Sequence, residues 1–221
     1  MDRREVQLQA VIFDMDGVLV DSEPLDRRAW VQVLGQYGVQ VSEDDILSFT
    51  GRPTAAVLEH YRRTNPALNE NILIEKHEVF YELAKMLLQP MPGVEKLLQD
   101  LQNDGVPLAV ASSSSYERIH FSLSHTGLFR YFRVVCSGEE VTNPKPAPDV
   151  FLHTASKLQV HPASCAVIED SIHGITAARK AGMNAYGYTA SFPAAELLEA
   201  GAQCTFDDFE SLEQYLRTEN K

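Results

Sequence analysis

The chain has 221 residues and a formal net charge of -12, with 44% hydrophobic and 23% charged residues, the composition of a folded globular protein and not of a disordered one. The acidic balance disfavours nucleic acid and anionic membrane surfaces as main partners. No stretch approaches the about 20 apolar residues of a membrane span, and the opening MDRREVQLQ lacks the apolar segment of a signal peptide, so a cytosolic location is expected; the chain is taken to act as a monomer.

The first strand-length apolar run is AVIF, residues 10 to 13, which passes directly into DMDGVLVDS. From about Glu23 to Leu88 the pattern is helical only: LDRRAWVQVLGQYG, SEDDILSF, TAAVLEHYRR and NENILIEKHEVFYELAKMLL. That is more than one crossover needs. A helical cap over residues 22 to 89 is therefore expected, with hinges near Val20 to Ser22 and at the Pro-rich QPMPG, residues 89 to 93. The core is then residues 1 to 21 with 90 to 221. There, strands are predicted at PLAVA (107 to 111), RVVC (133 to 136), CAVIE (165 to 169) and NAYGY (184 to 188). Helices are predicted at GVEKLLQDLQNDG, at PAPDVFLHTASKL from near Pro146, and at SIHGITAARKAG, capped by Ser171 and closed by Gly182. Strand alternating with helix predicts an α/β fold with a parallel sheet. Cys136, Cys165 and Cys204 are odd in number, far apart in the chain and set among apolar residues; they are expected to be reduced and without chemistry.

Open α/β sheets collect ligands beyond the carboxyl ends of their strands. Asp14 and Asp16 lie there and face one pocket if the strand runs on through Asp16 and turns at Gly17. Two close carboxylates repel, a cost that makes sense beside a cation or a substrate proton. Ser112 and Ser113 follow the second strand directly and offer donors to a phosphate oxygen, while Ser114 and Ser115 are expected only to cap the following helix. Lys145, stiffened between two prolines, supplies local positive charge. Glu169 and Asp170 follow the apolar CAVI. The acids suit Mg²⁺, and the hydroxyls and amine suit a phosphate.

These stretches resemble the haloacid dehalogenase-like superfamily, in its phosphatase and β-phosphoglucomutase-like branch with a small helical cap. FDMDGVLVDS, AVASSS, NPKPAPDVF and VIEDSIHGI resemble its four motifs in order, across nearly the whole chain. The resemblance implies a Rossmann-like core with the cap inserted after the first motif. It further implies Asp14 as nucleophile, Asp16 as general acid and then base, and Mg²⁺ held by Asp14, the Asp16 carbonyl, Asp170 and Glu169. Ser112, the Ser113 amide and Lys145 would bind the phosphoryl group. A true dehalogenase of the family lacks the second aspartate and needs no metal, so Asp16 speaks for phosphoryl chemistry.

Hydrolysis and phosphosugar transfer share these motifs. Mutase relatives carry a cap arginine where this chain has Thr54, a Ser-Lys-Asn-like run where it has Ser114, Ser115 and Tyr116, and a histidine where it has Asp26. Arg52 is the candidate to replace that arginine as a substrate-binding residue. The expectation is a Mg²⁺-dependent phosphatase for a small phosphorylated metabolite such as a sugar phosphate, with a β-phosphoglucomutase-type mutase as the alternative. A non-catalytic phosphate-binding or receiver-like module is disfavoured by the helical insert.

Overall fold

The computed structural model describes residues 8–50 and 54–219. The chain divides into two compact units, one made of the residues up to Val20 together with those from Pro90 onward, the other spanning Asp21–Gln89.

The first unit is built on a six-stranded parallel sheet: β1 (Ala10–Phe13), β2 (Leu108–Ser112), β3 (Val134–Ser137), β4 (Cys165–Glu169), β5 (Asn184–Tyr188) and β6 (Cys204–Phe206), in the spatial order β3-β2-β1-β4-β5-β6. Register is fixed on either side of β1 by the pairs Phe13↔Val110 and Phe13↔Ile168. All four β1 side chains are fully buried, which explains their unbroken apolar run. Successive strands step outward from β1 to β3, and the chain then returns to place β4 on the other flank of β1. The order reverses between β1 and β4, where such sheets open a crevice at their carboxyl edge.

Helices α5 (Val94–Asn103), α6 (Tyr116–His125), α7 (Asp149–Leu158), α8 (Ile172–Lys180), α9 (Ala194–Glu199) and α10 (Phe209–Glu219) belong to this unit. One apolar cluster joins Ile12, Ala109 and Val167 of the sheet to Phe151 and Ala155 of α7 and to Ile175 and Ala178 of α8. Helix α7 starts at Asp149 and not near Pro146, because Pro144 to Ala147 forms a turn (Ala147 N to Pro144 O, 2.9 Å) before regular helix bonding begins. The pattern reading, which stops at Tyr188, also missed α9, β6 and α10.

The second unit is all helical: α1 (Glu23–Gln36), α2 (Glu43–Leu47), α3 (Thr54–Arg62) and α4 (Asn71–Leu87). Trp30, Val33 and Leu34 of α1 form its core with Ile46, Val57, Leu58, Leu68 and Ile72. Ser42 caps α2 through a reciprocal box with Asp45. Asp26 pairs with Lys76, whose side chain is only 5% exposed and whose Nζ lies 5.8 Å from the ring centroids of both Trp30 and Phe80. Among the described residues no helix is long and apolar enough to cross a membrane.

Candidate active site at the carboxyl edge of the sheet

Strand β1 ends at Phe13, and Asp14 remains tied to β4 through its main-chain N–H to the Ile168 carbonyl (2.9 Å). The chain then folds into a tight turn in which the Met15 carbonyl accepts from Val18, Leu19 and Val20, and Gly17 N–H bonds back to Val20 O. Asp16 therefore leaves the strand instead of prolonging it, which corrects the expectation of two aspartates on one strand face. Met15 is fully buried, and the two carboxylates reach different partners.

The central contact is made by Lys145. Its Nζ donates to Asp14 Oδ1 (2.6 Å), Glu169 Oε1 (2.8 Å) and the Ala111 carbonyl (3.0 Å), drawing together the ends of β1, β4 and β2. The lysine side chain is 5% exposed, so its charge is compensated within the protein. Among the described residues no protein donor reaches the second Asp14 oxygen, Oδ2, and Asp14 retains slight exposure. Burial pushes the Asp14 carboxyl up to about 7, against the pull of Lys145 and with the repulsion of Glu169 and Asp16. Burial also works against the Lys145 charge, but Asp14 and Glu169 outweigh it and hold the ammonium above the usual lysine range.

Glu169 is enclosed. Oε1 takes Lys145, and Oε2 takes both the N–H (2.8 Å) and the hydroxyl (2.9 Å) of Ser171, which also caps α8 by accepting from Gly174 N–H (3.0 Å). The first turn of α8 closes so tightly here that a Cβ on Gly174 would fall 1.6 Å from Glu169 Oε1. Asp170 is buried and accepts from the Ser191 hydroxyl; Gly17, at φ +79°, approaches so near that a Cβ would lie 2.2 Å from Asp170 Oδ2.

Ser112 is buried, and its Oγ accepts from Ser114 N–H (3.0 Å); Ser113 is exposed beside it. Ser115 caps α6 as expected, accepting from Arg118 N–H (3.3 Å). Ser114 departs from the capping role: its hydroxyl donates to Asp16 Oδ2 (2.6 Å), while Arg118 Nη2 donates to Asp16 Oδ1 (2.8 Å). Ser114, Arg118 and Ser191 are site residues that the sequence reading missed. Arg52 lies outside the described residues, and Asp26 is committed to Lys76 within the helical unit.

The four acids are thus each turned onto a local donor: Asp14 and Glu169 onto Lys145, Asp16 onto Ser114 and Arg118, Asp170 onto Ser191. Among the described residues the one trio of potential ligand atoms within 4.8 Å of one another is Cys136, Glu140 and His153. That trio belongs to an ion-pair network, since Glu140 accepts from Lys157 (2.5 Å), the Ser137 N–H (2.9 Å) and His153 (3.3 Å). Burial keeps the Cys136 thiol protonated, so no chemistry is assigned to it. At the sheet edge the candidate ligand atoms are all oxygen, and the missing side chain at Gly17 lets Asp170 lie close against the turn after β1, a composition that fits a hard divalent cation.

The chain matches the haloacid dehalogenase-like hydrolase family over residues 11–188. It is 37% identical over 177 residues to the fructose-1-phosphate phosphatase YqaB of Escherichia coli, covering 79% of this chain and 93% of that protein. To the phosphorylated carbohydrates phosphatase of Thermotoga maritima it is 36% identical over 200 residues, covering 88% and 92%. A crystal structure of a β-phosphoglucomutase-like protein from the same organism superposes with a TM-score of 0.83 at 33% identity, covering 96% of this chain and 99% of that one. With its reversed strand order at β1 and β4, and with Asp14 and Glu169 held on one buried lysine, the chain belongs to the haloacid dehalogenase-like hydrolases.

Proposed function

We propose that this protein hydrolyses the phosphate monoester of a small sugar-like metabolite with the help of Mg²⁺, through an aspartyl-phosphate on Asp14. The carrying observation is the Asp14–Lys145–Glu169 arrangement, in which one oxygen of Asp14 is held and the other is left open. A carboxylate nucleophile makes a mixed anhydride, which hydrolyses far more readily than the ester and divides one slow step into two. Oδ2 attacks phosphorus, and the bond from phosphorus to the leaving oxygen breaks as Asp16 gives that oxygen a proton. Asp16 then takes a proton from the water that attacks the aspartyl-phosphate, releasing inorganic phosphate and restoring Asp14. Lys145, Ser112 and the main-chain amide of Ser113 hold the phosphoryl oxygens at the end of β2. Mg²⁺, held by Asp14, the Asp16 carbonyl and Asp170, would neutralise phosphoryl charge and favour the ionised form of Asp14. Glu169, with both oxygens engaged by Lys145 and Ser171, supports the site by orienting the lysine. The division into a core of residues 1 to 21 with 90 to 221 and a cap of residues 22 to 89 belongs to the same proposal.

Hydrolysis is favoured over phosphosugar transfer because a mutase needs extra donors for a second phosphate, and Ser114 spends its hydroxyl on Asp16. The test is Mg²⁺-dependent phosphate release from a panel of sugar phosphates and p-nitrophenyl phosphate, with Asp14→Asn as the inactive control. Absence of turnover on every ester defeats the enzymatic proposal. Conversion of β-glucose 1-phosphate with a trace of bisphosphate to glucose 6-phosphate, without free phosphate, replaces it with the mutase.

A further inference from the structure

We propose that Arg118 is a positioning residue, which together with Ser114 sets the orientation of the Asp16 carboxylate for proton transfer; this rests on the acid role given to Asp16 above. Asp16 stands in the turn after β1, outside the strand itself and bridged to Val20. Both of its oxygens are met from the exit of β2: Ser114 Oγ at 2.6 Å on Oδ2 and Arg118 Nη2 at 2.8 Å on Oδ1. Two donors on the two oxygens define the plane of the carboxylate, and the arginine bond is charge-assisted. The pair is largely shielded, with 13% of the Arg118 side chain and 18% of the Asp16 side chain exposed.

The donors are themselves anchored. Arg118 occupies the first turn of α6, fixed by its N–H to the Ser115 cap. The Ser114 carbonyl accepts from the Ser137 hydroxyl (2.7 Å), and Tyr116 N–H bonds to Glu139 Oε2 (3.1 Å), so the exit of β3 braces the segment. Orientation matters because a displacement of about 1 Å at a reacting group can cost on the order of 100-fold in rate.

The readout is leaving-group dependence, which a merely structural arginine would not alter. Phenyl phosphate and p-nitrophenyl phosphate are similar in size, but phenolate needs a proton on departure far more than the much more acidic nitrophenol does. For Arg118→Met in the full chain with Mg²⁺, kcat/KM on phenyl phosphate is expected to fall roughly 10- to 100-fold. The value on p-nitrophenyl phosphate should fall less than about threefold, since its first step does not draw on Asp16. Arg118→Lys, which keeps a single charged donor, should recover part of the loss on phenyl phosphate. Equal losses on both esters in a variant that melts near the wild-type temperature overturn the proposal, as does no loss. If Arg118→Met does not fold, Ser114→Ala removes the other donor and must give the same split. Asp16→Asn separates the two levels: if it discriminates between the esters and the Arg118 variants do not, the positioning role fails alone. If Asp16→Asn does not discriminate, the acid role fails first.

Discussion

Replacing Lys145 by methionine removes the buried cation that contacts both Asp14 and Glu169. Its Nζ makes contacts of 2.6 and 2.8 Å to the two carboxylates and 3.0 Å to the Ala111 carbonyl, and methionine supplies none of them. Removing one partner of a buried ion pair costs about 3–5 kcal/mol, because the remaining charge stays out of water. At about 2–4 °C per kcal/mol for a chain of this size, the melting temperature should drop by roughly 6–20 °C. The deficit must also depend on pH in a definite direction. Asp14 already sits at about 7 with Lys145 in place, and losing the ammonium raises it further. An acid whose folded pKa is raised loses stability as pH climbs, and the additional rise acts only above about pH 7, where wild type has begun to ionise Asp14. Between about pH 7 and about pH 8.5 the variant retains up to one more proton than wild type, so its deficit should grow by up to about 2 kcal/mol. Thermal melts of both proteins in chelator across that range provide the measurement. An unchanged melting temperature, or a deficit that shrinks as pH rises, refutes the assignment of Lys145 as the buried counter-charge.

Gly174→Ala should destabilise by about 3 kcal/mol, read as a lower urea midpoint, because the new methyl would overlap the Glu169 carboxylate 1.6 Å away. In the helical unit, Asp26→Asn should lower the melting temperature more than Lys76→Met. The first takes the carboxylate charge from beside an ammonium whose side chain is 5% exposed, whereas the second leaves a carboxylate whose side chain is 26% exposed. Glu140 is held down at about 2: burial works against its charge, but the Lys157, Ser137 and His153 contacts outweigh it. An acid with a lowered folded pKa adds stability above its unfolded value of about 4.3, and that stability disappears as pH falls towards about 2. The melting gap between wild type and Glu140→Gln should therefore be full at neutral pH and close over that acid range; a gap that persists at about pH 2 contradicts the network.

The sheet was legible because its central strands are covered on both faces and read as nearly unbroken apolar runs, and β1 and β4 begin and end where those runs do. The edge strand β6 carries only Cys204 to Phe206, too short for any period to emerge. Helix α10 did carry a signal, with Phe209, Leu212 and Leu216 buried at helical spacing, but it follows a strand that could not be recognised. At the site, Asp14, Lys145, Glu169 and Asp170 could be proposed together because each stands just beyond a recognisable strand or between two prolines. What sequence spacing could not reveal was how they divide among partners. Ser114 looked like one more polar neighbour of a helix cap, and Arg118 like an ordinary helical arginine. Their role depends on the turn at Gly17, which takes Asp16 out of β1 and towards the exit of β2. A helical period would have put Arg118 in the same turn as the cap, but nothing local to it names Asp16 as its partner. Ser191 was hidden in the same way, 21 residues from the Asp170 it contacts.

The most direct test of covalent catalysis by Asp14 is the stereochemical course at phosphorus, followed with a thiophosphate ester made chiral by oxygen isotopes and hydrolysed in isotopically labelled water. Attack by Asp14 and then by water inverts phosphorus twice, so the configuration of the released thiophosphate should be retained. Net inversion would mean that water displaces the alcohol directly, and Asp14 would then have no covalent role.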